Sequence, residues 1–124
     1  MQRCIIIYGK YFWEFYNLLD SKIQEKIDWV FNLVKFANII PQKYFKHLAN
    51  TDGLFEIRVE YESNIYRMLC FFDDDNLVVL VNAFQKKSQK TPKKELELAK
   101  KLKAQYFIDK KIRTKNAKGK NFRK

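Results

Sequence analysis

Apolar residues in the first part of the chain follow two spacings, one typical of strands and one of helices. Gln2–Tyr8 contains three consecutive isoleucines, which favours a strand buried on both faces. Tyr11–Leu19 places aromatic residues at helical spacing, and Ser21 and Gln24 then fit the N-cap and N3 positions of a second helix that ends before Pro41. The apolar stripe of this second helix is Ile23, Ile27, Val30 and Val34.

The middle of the chain predicts three strands joined by short turns. Tyr44–Leu48 first fits a short helical turn. Leu54–Tyr61 then alternates, with apolar side chains on one face and polar ones, including Arg58, on the other. Ile65–Phe72 follows, and Leu77–Phe84 is apolar on both faces, as expected of a central strand. Connections this short predict an antiparallel meander.

The last third of the chain predicts one basic helix and a tail. Thr91 and Pro92 fit the N-cap and first position of the helix, whose apolar face includes Ala99 and Tyr106. Apolar periodicity stops after Asp109, so the sequence predicts a domain over residues 1–108 and a mobile basic tail over residues 109–124. The predicted order is β-α-α-β-β-β-α. It describes an α+β fold in which a helical hairpin and a C-terminal helix pack on one antiparallel or mixed sheet.

Charge is distributed unevenly along the 124 residues, whose net charge is +11. Residues 1–85 contain 9 Lys and Arg against 11 Asp and Glu, and are close to neutral. Residues 86–108 contain 8 Lys against 2 Glu, and residues 109–124 contain 8 Lys and Arg against 1 Asp. A basic excess gathered in this way indicates a polyanionic partner such as nucleic acid, and the alternative is a solvent-exposed lysine-rich helix followed by a frayed tail.

Composition excludes several classes of protein and site. Apolar residues make up 47% of the chain, enough for one core, and no stretch reaches the roughly 18–20 apolar residues of a membrane span. We therefore expect a cytoplasmic domain with buried thiols at Cys4 and Cys70. His47 is the only histidine, which excludes a two-histidine nuclease site, and Asp73–Asp75 fits a solvated turn better than a cation site. The sequence predicts no metal and no cofactor.

Cations close to predicted strand ends are the main candidates for chemistry. Arg58 and Arg67 flank one predicted turn, and Lys86, Lys87 and Lys90 directly follow the central strand. Such cations can stabilise the extra negative charge of a pentacoordinate phosphorane. Structural roles compete with this interpretation, because Arg58 can pair with a neighbouring glutamate, Arg67 can extend from a sheet edge, and His47 can simply pack. Whether the two arginines share a face depends on the turn register.

Three segments of the chain resemble the phage-derived, HigB-like branch of the RelE/ParE toxin superfamily. They are Leu48–Arg58, Ile65–Phe72 and Phe84–Pro92 with Glu95 and Ala99 beyond, within a resemblance that covers Ile5–Tyr106. The resemblance implies a RelE-like fold and the toxin of a type II toxin–antitoxin pair. It also implies a ribosome-dependent endoribonuclease that cleaves messenger RNA through attack of the ribose 2′-hydroxyl, without a metal. The implied partners are mRNA, the ribosome and an adjacently encoded helix-turn-helix antitoxin, which would bind operator DNA.

The same resemblance assigns roles to individual residues. The active-site cations fall on Arg58, Arg67 and Lys86 or Lys87, with Arg67 holding the phosphate and Arg58 stabilising charge or accepting a proton. Lys87 and Lys90 would contact the phosphate or the leaving oxygen. The implied substrate-binding residues are Lys86, Phe84, Tyr66, Lys93 and Lys94.

One departure from the family pattern leaves the general acid and base open. Some relatives carry a tyrosine or histidine near the carboxyl end, and Pro92–Lys103 contains neither. Glu56, His47, Tyr66 and Lys90 remain as candidates. Two other functions also remain open, namely a ParE-like inhibitor of DNA gyrase that does not cut nucleic acid, and a degenerate member that binds only RNA or its antitoxin.

Overall fold

The chain folds into an α+β structure in which a mixed sheet lies between helices. The computed structural model describes residues 2–86 and 90–122, with side chains up to Lys115. The elements are β1 (Cys4–Ile7), α1 (Tyr11–Tyr16), α2 (Ser21–Phe36), β2 (Phe45–His47), β3 (Leu54–Tyr61), β4 (Asn64–Asp73), β5 (Leu77–Gln85) and α3 (Lys93–Phe122).

The described residues form a five-stranded sheet of order β1-β5-β4-β3-β2. β1 pairs with β5 in parallel, and the other neighbours are antiparallel, which confirms the predicted α+β class and the β3-β4-β5 meander. β5 is a central strand, as its sequence predicted. β1 is an edge strand with Ile6 40% exposed, so the prediction that it is buried on both faces is wrong.

The sheet carries a separate core on each face. On one face, α1 and α2 pack through Phe12, Ile27, Val30 and Val34, and the predicted stripe of α2 is confirmed. On the other face, Ala99 and Tyr106 of α3 pack against Leu54, Leu69, Phe71, Val79, Val81 and Phe84. Burial of Cys70 is confirmed, whereas Cys4 at the edge strand is exposed, contrary to prediction.

Local interactions explain most differences from the predicted boundaries. Asp20 rather than Ser21 caps α2, because its side chain accepts from the backbone N–H of Lys22 at 2.8 Å. Gln24 instead donates to the carbonyl of Tyr16 at 2.8 Å and ties α2 to α1. The predicted helical turn at Tyr44–Leu48 is wrong, because Phe45–His47 pairs with the edge of β3. A segment of three residues is too short for its sequence to show the alternation of apolar and polar residues that indicates a strand.

The C-terminal helix is longer than its apolar pattern predicts. Apolar periodicity stops after Asp109, yet α3 continues to Phe122. Lysine, arginine and alanine have good intrinsic helix propensity and no proline interrupts the segment, so helix formation does not require an apolar face there. Asp109 and Lys110 also contact the sheet, by accepting a hydrogen bond from Tyr8 and donating one to Asp73. Contact with the sheet therefore extends past residue 108.

A register shift in the central strands decides which side chains face α3. The β4–β5 pairing shifts between Leu69 and Cys70, so that Leu69 lies opposite Asn82 and Arg67 lies opposite Phe84. An extra residue in one strand reverses the face presented by all later residues. Asn82 and Phe84 therefore lie on the same face as Arg67, beneath the start of α3.

Candidate functional site

Arg58 and Arg67 lie directly opposite each other on neighbouring strands. The β3–β4 register pairs Arg58 with Arg67, which answers the question of face that the turn sequence left open. Directly opposed side chains share one face with Cβ atoms about 4.5–5.5 Å apart, and two like charges in that position destabilise a sheet. The fold therefore places two positive charges together at an energetic cost.

Two lysines extend this pair into a cluster of four cations, which we call the cation cluster: Lys46, Arg58, Arg67 and Lys86. Lys46 lies on β2 opposite Glu56, and hence on the same face as the arginines. Lys86 follows β5 immediately, and its backbone N–H donates to the carbonyl of Ile65 at 2.7 Å. The pKa of the Lys86 ammonium is lowered, first by burial and then by the positive charges of Arg67 and Arg58.

Two glutamates offset part of this charge. Nη1 of Arg67 lies 2.8 Å from Oε2 of Glu56, and both side chains are less than a tenth exposed. The distance is that of an ion pair, although Oε2 lacks the alignment of a hydrogen bond. Nη2 of Arg58 lies 3.1 Å from Oε1 of Glu60, and this pair is partly exposed. The alternative in which Arg58 pairs with a neighbouring glutamate is therefore confirmed. The four cations still outnumber the two carboxylates.

The arginines keep unused hydrogen-bonding capacity. Arg67 donates from Nη1 to Oγ1 of Thr91 at 3.3 Å. This hydrogen bond links β4 to a residue two positions before α3 begins. The Nε atoms of Arg58 and Arg67 are buried and have no hydrogen-bond partner among the described residues. A buried donor without a partner is unfavourable, and an anion at this face could accept from it.

The start of α3 is held close to this cluster by a buried amide. Asn82 on β5 is 1% exposed, and its Nδ2 donates to both the carbonyl and the Oε1 of Glu95 at 3.1 Å. Lys93 and Lys94, in the first turn of α3, are exposed, as is Lys90 just before it. Phe84, opposite Arg67, is 8% exposed and belongs to the core beneath α3. Lys87 lies outside the described residues.

Two predicted site residues lie on the opposite face of the sheet. His47 pairs with Phe55 in the β2–β3 register, and the centres of their rings lie 5.1 Å apart on the α1–α2 side of the sheet. Tyr66 is 3% exposed in that same core, near Phe15, and burial raises the pKa of its hydroxyl. His47 and Tyr66, two of the candidates for acid or base, therefore lie away from the cations, because strand alternation sends neighbouring residues to opposite faces. Of the candidate acids and bases, Glu56 lies beside Arg67, and Lys86, named above as a substrate-binding residue, lies among the same cations.

Sequence reasoning missed Lys46, Asn82 and Asp73. If residues 45–47 had been predicted as a strand, Lys46 would have been assigned to the sheet face opposite that of Phe45 and His47. The segment is short, however, and its sequence fits a turn as well. Asp73 was predicted to be a solvated turn residue, yet it is 5% exposed and accepts hydrogen bonds from Tyr106 at 2.7 Å and Lys110 at 2.8 Å. No sequence signal links Asp73, Tyr106 and Lys110, because only the packing of α3 on the sheet brings them together.

Within residues 2–86 and 90–122, no three side chains of His, Cys, Asp or Glu lie together as a metal-binding group would require. None of the helices in that part of the chain is long and apolar enough to cross a membrane.

Comparison with known families matches residues 14–104 to a family described as "Phage derived protein Gp49-like (DUF891)". The matched range is well over half of the chain, contains every member of the cation cluster and ends within α3. A search of curated proteins finds no match.

Proposed function

Since the chain belongs to the phage-derived Gp49-like family, a toxin-like family related to the RelE and HigB toxins, we propose that it is a type II toxin that cleaves messenger RNA on the translating ribosome. One observation carries the proposal. Arg58 and Arg67 are paired in register with Lys46 and Lys86 beside them, so cations from four segments of the chain meet on one face of the sheet. A phosphodiester is a ligand that would relieve their mutual repulsion.

The proposed reaction transfers the phosphate within the RNA. The ribose 2′-oxygen attacks the adjacent phosphorus, the bond to the 5′-oxygen breaks, and the products are a cyclic phosphate and a free 5′-hydroxyl. Arg67 and Arg58 would bind the non-bridging oxygens and stabilise the charge that develops on them. In this scheme Lys46 contacts a neighbouring phosphate of the strand.

Proton transfer falls to the titratable groups beside the arginines. Glu56 is the carboxylate nearest to Arg67 and would accept the proton of the 2′-hydroxyl once phosphate takes over its guanidinium partner. Lys86, whose pKa is lowered, would donate a proton to the leaving 5′-oxygen. Lys90, Lys93 and Lys94, which are exposed at the start of α3, would bind flanking phosphates.

The proposed partners rest on the charge of α3 and on the resemblance to the RelE and HigB toxins. Exposed basic side chains of α3 such as Lys101 and Arg113 would contact ribosomal RNA, whose phosphates neutralise their charge with release of counterions. A helix-turn-helix antitoxin encoded beside the toxin would block this activity and would itself bind operator DNA.

A second candidate is supported by the ion pairs. Because both arginines already have a carboxylate within 3.1 Å, the same site also fits a binding surface that holds RNA without cutting it. Cleavage and binding differ in whether messenger RNA is broken, and this difference can be tested.

The test compares Arg58→Gln with Glu60→Gln. Both substitutions break the same partly exposed ion pair, but only the first removes the cation. After induction at equal expression, primer extension on cellular mRNA should show codon-phased breaks with the wild type and Glu60→Gln, and none with Arg58→Gln. Breaks that persist with Arg58→Gln would contradict the assignment. Absence of breaks with the wild type would favour the binding protein, and linearised plasmid would indicate gyrase inhibition.

A further inference from the structure

A groove along one side of α3 combines an apolar floor with a basic rim. Phe107 lies between two adjoining cavities, of about 270 and 390 Å³. The first is floored by Leu54 and Ala104, and the second is bordered by Thr114. We call this feature, which lies along α3 apart from the cation cluster, the Phe107 groove. No residue of the cation cluster lines it.

The floor of the Phe107 groove is held rigidly. The Phe107 ring is partly buried. Its centre lies 5.6 Å from that of the Phe71 ring and 5.2 Å from that of the Tyr106 ring, so both rings support it from below. Lys103 reaches across the first cavity to the carbonyl of Asp52, which joins α3 to the loop before β3. A preformed apolar surface reduces the entropy that is lost when a ligand binds.

The rim of the groove is strongly basic. Five lysines border the two cavities: Lys100, Lys103, Lys110, Lys111 and Lys115. Nearby acidic side chains are those of Asp52, Asp73 and Asp74, and Asp73 is already paired with Lys110 at 2.8 Å. Positive charge is therefore in excess around a floor that offers mainly carbon atoms.

We propose that the Phe107 groove binds an acidic amphipathic segment of a partner protein. The carbon floor would take the apolar side chains of the segment and the lysine rim its carboxylates. A second copy of this chain fits poorly, because the chain carries a net charge of +11 and would bring like charge to the rim. Nucleic acid fits less well than a peptide, since phosphates would gain nothing from the apolar floor.

The test measures binding of a fluorescein-labelled synthetic peptide of glutamate and leucine at helical spacing to the full-length protein by fluorescence anisotropy. Ala104→Glu introduces a carboxylate into the floor at an exposed helical position, and we expect it to weaken binding about tenfold, which is about 1.4 kcal/mol. Lys111→Glu reverses one charge at the second cavity and should act in the same direction. Ile112→Glu is the matched control, because it makes the same charge change at an exposed position of α3 that lines neither cavity of the groove.

Four outcomes would overturn the proposal: no binding, equal weakening by Ile112→Glu, equal binding of a peptide that contains glutamate without leucine, or a stronger effect of Ala104→Glu on an RNA oligonucleotide than on the peptide. Circular dichroism confirms that each variant is folded. The assay contains no ribosome and measures no cleavage, and the proposal does not rest on the proposed function. A failure here would therefore leave the ribonuclease proposal to its own test.

Discussion

Asp73 provides a quantitative test of how α3 is held on the sheet. Its carboxylate accepts hydrogen bonds from the Tyr106 hydroxyl at 2.7 Å and from Lys110 at 2.8 Å, and it is 5% exposed. Asp73→Ala leaves the Tyr106 hydroxyl, itself in a residue only 4% exposed, without this acceptor. A stranded buried hydroxyl costs about 1–3 kcal/mol, and we expect a loss of about 2 kcal/mol in the free energy of unfolding.

The assay is urea and thermal denaturation at pH 7, followed by circular dichroism. A loss of this size lowers the melting temperature by about 8 °C for a domain near this length. Asp75→Ala is the control, because it removes the same charge from an exposed position of the same turn. In a Tyr106→Phe background no hydroxyl is stranded, so Asp73→Ala should cost about 1 kcal/mol less there. Equal stabilities of Asp73→Ala and Asp75→Ala, or a cost unchanged in that background, would refute the reasoning.

Three further predictions concern other parts of the molecule. Arg67→Ala should destabilise the fold by about 3–5 kcal/mol in urea denaturation because it leaves Glu56 buried without its cation, and removing both charges should cost less. The hydrogen bond from Tyr8 to the Asp109 carboxylate raises the pKa of Tyr8 to about 12. The stability that this bond adds is therefore present below pH 10 and is lost as the pH rises towards 12. Tyr8→Phe should therefore flatten the fall in melting temperature over that window. Deleting residues 116–124 should leave the melting temperature unchanged, whereas deleting 110–124 should lower it, because the second deletion removes a lysine paired with the sheet.

The pH dependence at acid follows from the same network at Asp73. Hydrogen bonding to Lys110 and Tyr106 lowers the pKa of the Asp73 carboxyl, although burial opposes the shift. A carboxyl with a lowered pKa in the folded state stabilises the protein above its unfolded pKa, near 3.9, and that stability is lost as the pH falls through the folded value. The α3 anchor is thus expected to hold over the whole neutral range.

The predictability of the site differs from residue to residue. Arg58 and Arg67 could be nominated from the sequence because each is a cation in an otherwise regular strand pattern. That they face each other depends on the β3–β4 register, and that Phe84 joins them depends on the shift beside Leu69, which the alternation alone does not contain. His47 was misplaced because its segment was predicted as a turn, and a turn carries no information about sheet face.

Local pattern determined the α+β class, the meander, the buried stripe of α2 and the concentration of net positive charge in the last third of the chain. These features depend on residues close together in sequence, whose spacing fixes which side of an element is apolar. Tertiary structure alone decided the pairing of Arg67 with Glu56, the burial of Asp73 beneath α3 and the lysine-rimmed groove around Phe107. Each depends on which distant elements pack together, because the free energy of a buried charge or an apolar surface is set by its neighbours in space.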